Sequence, residues 1–307
     1  MAHGAMLLLS GLVMVAWRPC RSREGRVPRV AVALLLLSAA AIWLGSFALA
    51  VAVASGSAVG GLEACGVVWR RLLAGELVWW RTVPLLVWAL VFPLRGLRAM
   101  SVRLRQSRAL AIKLVAAGEP LEVTRWSGRR AVVVPNLSTP AVTLGLARPT
   151  ILLDRTFWQE ATPPQRDIVL AHEVAHARGR HGLIEALATL VTAPLAPVPA
   201  GREVYDCVRR HLEALADDAA ARRHGRTAVG TTLGRVALAG YPPSGLGTSG
   251  SCVWRVGRLV TEDRKASWRD RGLLLAMVIT MTAMLAVAGA DTAAALGPVA
   301  NPDFCPL

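Results

Sequence analysis

Residues 30–54 form an apolar run without one charged side chain. A bilayer span needs about 20 mostly apolar residues, so this run predicts a transmembrane helix. Three others approach the same length: Ala5 to Trp17, which is short, Leu77 to Leu94, and Leu273 to Ala290. Arg81 interrupts the second of these only near one end, where it can snorkel beside Trp79 and Trp80. Composition agrees: hydrophobic residues are 54% and aromatic residues only 5%, with a mean hydropathy of +0.44. That is too apolar for an ordinary soluble enzyme and excludes a disordered chain.

The charge is +15, with 35 basic against 20 acidic residues, and Lys113 and Lys265 are the only lysines. Such a charge could signal nucleic acid. The arginines instead flank the apolar runs, so a lipid bilayer is the expected partner and direct nucleic-acid binding is not. Arg18, Arg21, Arg23, Arg26 and Arg29 follow the first run, which argues against a signal peptide, whose charge precedes its apolar stretch. Arg95, Arg98, Arg103, Arg105, Arg108 and Lys113 follow the third run, and Arg264, Lys265, Arg269 and Arg271 precede the fourth. The positive-inside rule then predicts a multi-pass protein of the plasma membrane, with the N-terminus outside, residues 95–271 in the cytoplasm and a short tail outside. The domains expected are 1–94 with three spans, 95–271 as the cytoplasmic domain, and 272–307 with the fourth span and tail. Five cysteines without a CxxC pair exclude a disulfide scaffold and a Cys-rich zinc module. Cys65 and Cys305 both fall on the expected outer side and could pair.

Within the cytoplasmic segment, residues 95–117 read as an Arg-rich helix ended by Gly118-Glu119-Pro120. Four short β-like runs follow, Leu121 to Trp126, Ala131 to Val134, Ala141 to Leu146 and Thr150 to Leu153, separated by turn signals. They predict a small antiparallel sheet. Thr162, Pro163 and Gln165 spell a capping box with proline at the first helical position. The helix they open runs to Arg178, with Gly179 as its stop. Further helices are expected over 183–191 and 202–223. The Pro/Gly/Ser-rich stretch 241–250 is expected to be a loop.

The capped helix carries His172-Glu173-Val174-Ala175-His176. Histidines four apart lie on one helical face, so both imidazoles can reach one Zn²⁺ at about 2.0–2.1 Å. Glu173, beside that face, can take the proton of the nucleophilic water. With 6 histidines in 307 residues, chance supplies on the order of 0.004 such pentads. A catalytic zinc needs a third protein ligand. A third histidine at the spacing of one zincin class would fall on Gly182, with His181 one residue short. Glu213, in Glu213-Ala214-Leu215-Ala216-Asp217, is the better candidate. Asp217, one turn on, can accept the far N–H of a ligand histidine and fix its tautomer, with Asp218 the rival for that role. His181 and His211 could lie near the site but are left out of the ligand set.

Taken together, the runs, the Arg-rich helix, the sheet, AHEVAHARGRH and LEALADDAAAR resemble the BlaR/MecR-type membrane metallopeptidases, the antirepressor family. The resemblance is strongest over residues 130–223. It implies an α-helical membrane protein with four transmembrane helices and an inserted α+β gluzincin-like zinc metalloprotease domain. It implies His172, His176 and Glu213 as Zn²⁺ ligands, Glu173 as catalytic base and Asp217 as the acid behind a ligand. The implied function is signal-regulated endopeptidase cleavage of a cytoplasmic protein, with a BlaI-like winged-helix repressor as the expected partner. Only residues 291–307 follow the last run, so the family's penicillin-binding sensor is not carried over. Alternatives are a quality-control metalloprotease of the HtpX or CAAX type, and a non-catalytic membrane receptor or scaffold.

Overall fold

A computed structural model describes residues 28–55, 86–121, 131–146, 148–197, 199–239 and 249–261, with isolated positions in 74–83 and 268–282. Eight α-helices are described: α1 (Pro28–Ser55), α2 (Phe92–Ala117), α3 (Arg155–Glu160), α4 (Pro163–Arg178), α5 (His181–Thr192), α6 (Pro199–His224), α7 (Arg226–Leu238) and α8 (Ser249–Val260). The strands are β1 (Glu119–Leu121), β2 (Ala131–Val134), β3 (Ala141–Leu144) and β4 (Thr150–Asp154).

The sheet has the order β1-β2-β4-β3. It is mixed where an antiparallel sheet was expected: β2 and β4 run parallel, with Val132 opposite Leu152, while β1–β2 and β3–β4 are antiparallel. The reason lies in burial. Strand residues alternate between faces, and β2 and β4 are apolar at nearly every position. Ala131, Val133, Ile151 and Leu153 face Leu170 and Val174 of α4. Val132, Val134 and Leu152 face Leu114 and Val115 of α2. Only the two central positions are covered on both faces, so β4 slots in beside β2. β3, which carries the polar Thr143, is left at the edge.

Helix α4 opens on the expected cap, with Thr162 N–H donating to Gln165 Oε1 at 2.9 Å. It lies between two layers. Leu170 and Val174 face the sheet, while Ile168 and Ala171 meet Ala220 and Ala221 of α6, Val229 of α7 and Leu259 of α8. Short side chains on both helices let their axes approach closely. That approach lets residues of α4 and α6 meet around one point.

The membrane architecture needs correction. Among the described residues, no helix is long and apolar enough to cross a membrane. The apolar run of α1 meets protein instead: Val32 and Leu35 pack with Ala188 of α5 and Val204, Val208 and Leu212 of α6. Helix α2 carries Arg95, Arg98, Arg103, Arg105 and Arg108, the Arg-rich helix expected over 95–117. The four transmembrane helices, and the integral plasma-membrane location with outside N-terminus and tail, are therefore not supported. The run at 5–17, residues 77–82 and 84–85, most of 273–290, Cys65 and Cys305 lie outside the described residues, as does the stretch 240–248.

Candidate metal centre

The histidine pair of α4 and Glu213 of α6 form a group that could hold a metal ion, with one donor atom from each within 4.8 Å of the others. His172 Nε2 and His176 Nε2 are 3.1 Å apart. Glu213 brings Oε2 to 3.5 Å from the first and Oε1 to 3.4 Å from the second. A cation bound tetrahedrally at about 2.0–2.1 Å spaces its ligand atoms about 3.3–3.4 Å apart. Each histidine nitrogen thus has one oxygen of Glu213 near the separation such an ion requires, and one donor atom from each of the three residues lies within 4.8 Å of the others. Glu213 Oε2 is buried and makes no well-directed hydrogen bond, although Arg255 Nη1 lies 3.0 Å away. An acceptor left with spare capacity beside two imidazole nitrogens fits a cation.

Each ring is steadied from behind. Asp217 Oδ1 lies 3.1 Å from His172 Nδ1, so it can accept that N–H and leave Nε2 facing the centre. Asp217, not Asp218, takes this role, because Asp218 pairs with Arg258 at 2.8 Å. His176 Nδ1 contacts His181 Nδ1 at 2.9 Å. If His176 presents Nε2 as a lone pair, its Nδ1–H donates to His181. Sequence reasoning set His181 aside, but a signal was present in Gly179. A side chain there would bring its Cβ to 2.5 Å from His181 Nε2. The left-handed turn falls instead on Arg180, at φ 49°, which folds His181 back under α4. His211 stands apart from the centre, its ring 5.6 Å from that of Trp254.

Glu173 is buried on the other flank of His172. Thr143 Oγ1 on β3 is 2.7 Å from Glu173 Oε2 and 3.0 Å from Glu173 O. The hydroxyl can donate to either acceptor, and both contacts tie Glu173 to β3.

Burial pushes the Glu173 carboxyl up, against the opposing effects of a charged His172 and the Thr143 bond. Burial works against charge on Glu213 too, but Arg255, His176 and His172 outweigh it and hold the carboxyl down at about 2. Asp217 is likewise depressed, burial being overcome by Arg255 and His172. His172 resists burial because Asp217 and Glu213 surround it, and rises to about 10. Burial lowers His176 to about 4, with Glu213 opposing and His172 adding to the shift. The rings thus differ in direction although they touch.

The cleft beside the centre is lined by Ile168, Val169, Val229, Leu233 and Val236, with His172, Glu173 and Arg255 at its polar wall. The chain matches no protein-family model and no curated protein.

His211 supplies a test of acid sensitivity. Its Nδ1 pairs with Cys207 O at 2.9 Å, and burial lowers its pKa to about 4. In the unfolded chain a histidine titrates near 6.5. Between those values the unfolded state binds the extra proton, so stability should fall as pH drops from about 6.5 to about 4. His211→Phe should flatten that slope in denaturant melts. An unchanged slope would show that His211 does not carry it.

Proposed function

We propose that this chain is a zinc-dependent endopeptidase. The observation that carries the reading is the convergence of His172, His176 and Glu213 from two helices, with Glu173 buried next to them. Two imidazoles and a carboxylate within 4.8 Å of one another suit Zn²⁺. When bound, Zn²⁺ would supply Lewis acidity toward a carbonyl and lower the pKa of water.

The protein's own groups account for the rest. Glu173 is the base: it takes a proton from the attacking water and returns it to the departing amine. A carboxyl whose pKa burial has raised is suited to both halves of that exchange. Thr143 holds its Oε2 in place. Asp217 and His181 keep the two rings turned toward the centre. β3 is an edge strand, and an extended peptide could add to it by main-chain hydrogen bonds. Since Thr143 of that strand touches Glu173, a peptide paired there would run past the base. The apolar cleft would accept one of its side chains.

The resemblance to the BlaR/MecR antirepressors supports a regulatory protein as substrate, and a BlaI-like winged-helix repressor is the first candidate. Digestion of casein separates an endopeptidase from an exopeptidase. The expected products are internal fragments, seen by mass spectrometry. Release of single terminal residues only would overturn the reading.

A further inference from the structure

The third ligand needs a device to hold it, and its own helix does not provide one. Glu213 and Asp217 lie one turn apart on α6, and both carboxylates are turned inward against His172. Two buried like charges at this spacing repel. The group between them comes from α8, about 40 residues later in the chain. Arg255, 3% exposed, donates from Nε to Asp217 Oδ2 and from Nη2 to Asp217 Oδ1, both at 2.7 Å. Its Nη1 stands 3.0 Å from Glu213 Oε2. Asp217 Oδ1 also faces His172 Nδ1. One guanidinium therefore reaches the ligand Glu213 directly and the ligand His172 through Asp217.

Geometry distinguishes this from an ordinary buried ion pair: Arg255 meets two carboxylates, one of them on a residue of the candidate metal group.

We propose that Arg255 is a positioning residue for the metal centre, and that its fork onto Asp217 and Glu213 sets the affinity of the site for its ion. The proposal rests on the metallopeptidase reading. It makes a prediction opposite to that of simple electrostatics. A positive charge 3.0 Å from a ligand oxygen repels a cation, so its removal by itself should tighten binding. If the fork instead holds Glu213 and Asp217 in place, its removal should weaken binding, by about 10- to 100-fold, as for other groups behind metal ligands.

The test is Zn²⁺ affinity of the full chain by chelator competition, together with the visible spectrum of the Co²⁺-loaded protein. Arg255→Met should lose affinity by that factor and show an altered Co²⁺ spectrum. Millimolar guanidinium should restore affinity to Arg255→Ala through the cleft that this side chain lines. Arg255→Lys keeps the charge but not the fork, and should also lose about tenfold. It decides the matter if the methionine variant does not fold. Arg258→Met removes a neighbouring contact to Asp218 and Ala214 O and should lower melting temperature without changing affinity. Unchanged or tighter Zn²⁺ binding in both Arg255→Met and Arg255→Lys overturns the positioning role and leaves the metallopeptidase reading standing. Absence of Zn²⁺ binding in the unaltered protein overturns both.

Discussion

Glu173→Gln is expected to lower peptide hydrolysis by about 10²- to 10⁴-fold, the usual contribution of a general base, while leaving bound zinc unchanged. The substitution keeps the size of the side chain and an acceptor for Thr143 Oγ1. It removes the one function the account assigns to it, holding a proton between its transfer from water and its delivery to the amine. Glu173 is not among the three grouped donors, so metal content should not change. kcat should fall with KM nearly constant, since neither the edge of β3 nor the apolar cleft is altered. Turnover equal to that of the unaltered protein would remove Glu173 from the mechanism.

The second large effect concerns the metal itself. His172→Ala with His176→Ala leaves Glu213 as the sole donor of the group, and stoichiometric zinc should be lost. The loss should also appear as stability. A ligand that binds only the folded state at 100 times its Kd stabilises by about 2.7 kcal/mol. Added zinc should therefore raise the melting temperature of the unaltered protein and leave that of the double variant where it was. Full zinc occupancy in the double variant would place the metal elsewhere.

The site was far more legible in the sequence than the architecture around it. His172, Glu173 and His176 are fixed relative to one another by helix geometry alone, which needs no tertiary information. Glu213 and Asp217 could be paired with them because a catalytic zinc lacks a donor without one more ligand, and few acidic residues followed at a suitable distance. Arg255 was invisible for the opposite reason. It belongs to no motif, and only the packing of Leu259 of α8 against Ile168 and Ala171 of α4 brings it under α6. His181 sat in plain view one residue from the expected histidine spacing. Its role depends on the left-handed turn at Arg180, a backbone conformation that side-chain patterns do not announce for a non-glycine residue. Three of the four strands were located within a residue or two, while residues 122–126 of the first expected run lie outside the described residues; the order was not legible, because burial on both faces rather than chain order placed β4 beside β2. Hydropathy misled most over α1. An apolar run reports that a segment avoids water, and packing against α5 and α6 satisfies that demand as well as lipid does.

The central claim is that His172, His176, Glu213 and Glu173 together form a metal-dependent hydrolytic centre. The most direct measurement is casein hydrolysis by the purified full chain before chelation, after removal of metal by a chelator, and after return of zinc, with Glu173→Gln carried through the same cycle. The account predicts activity that disappears with the metal and returns with zinc in the unaltered protein. In Glu173→Gln, zinc should rebind and activity should stay absent. Hydrolysis that survives complete metal removal, or that Glu173→Gln retains in full, would contradict it.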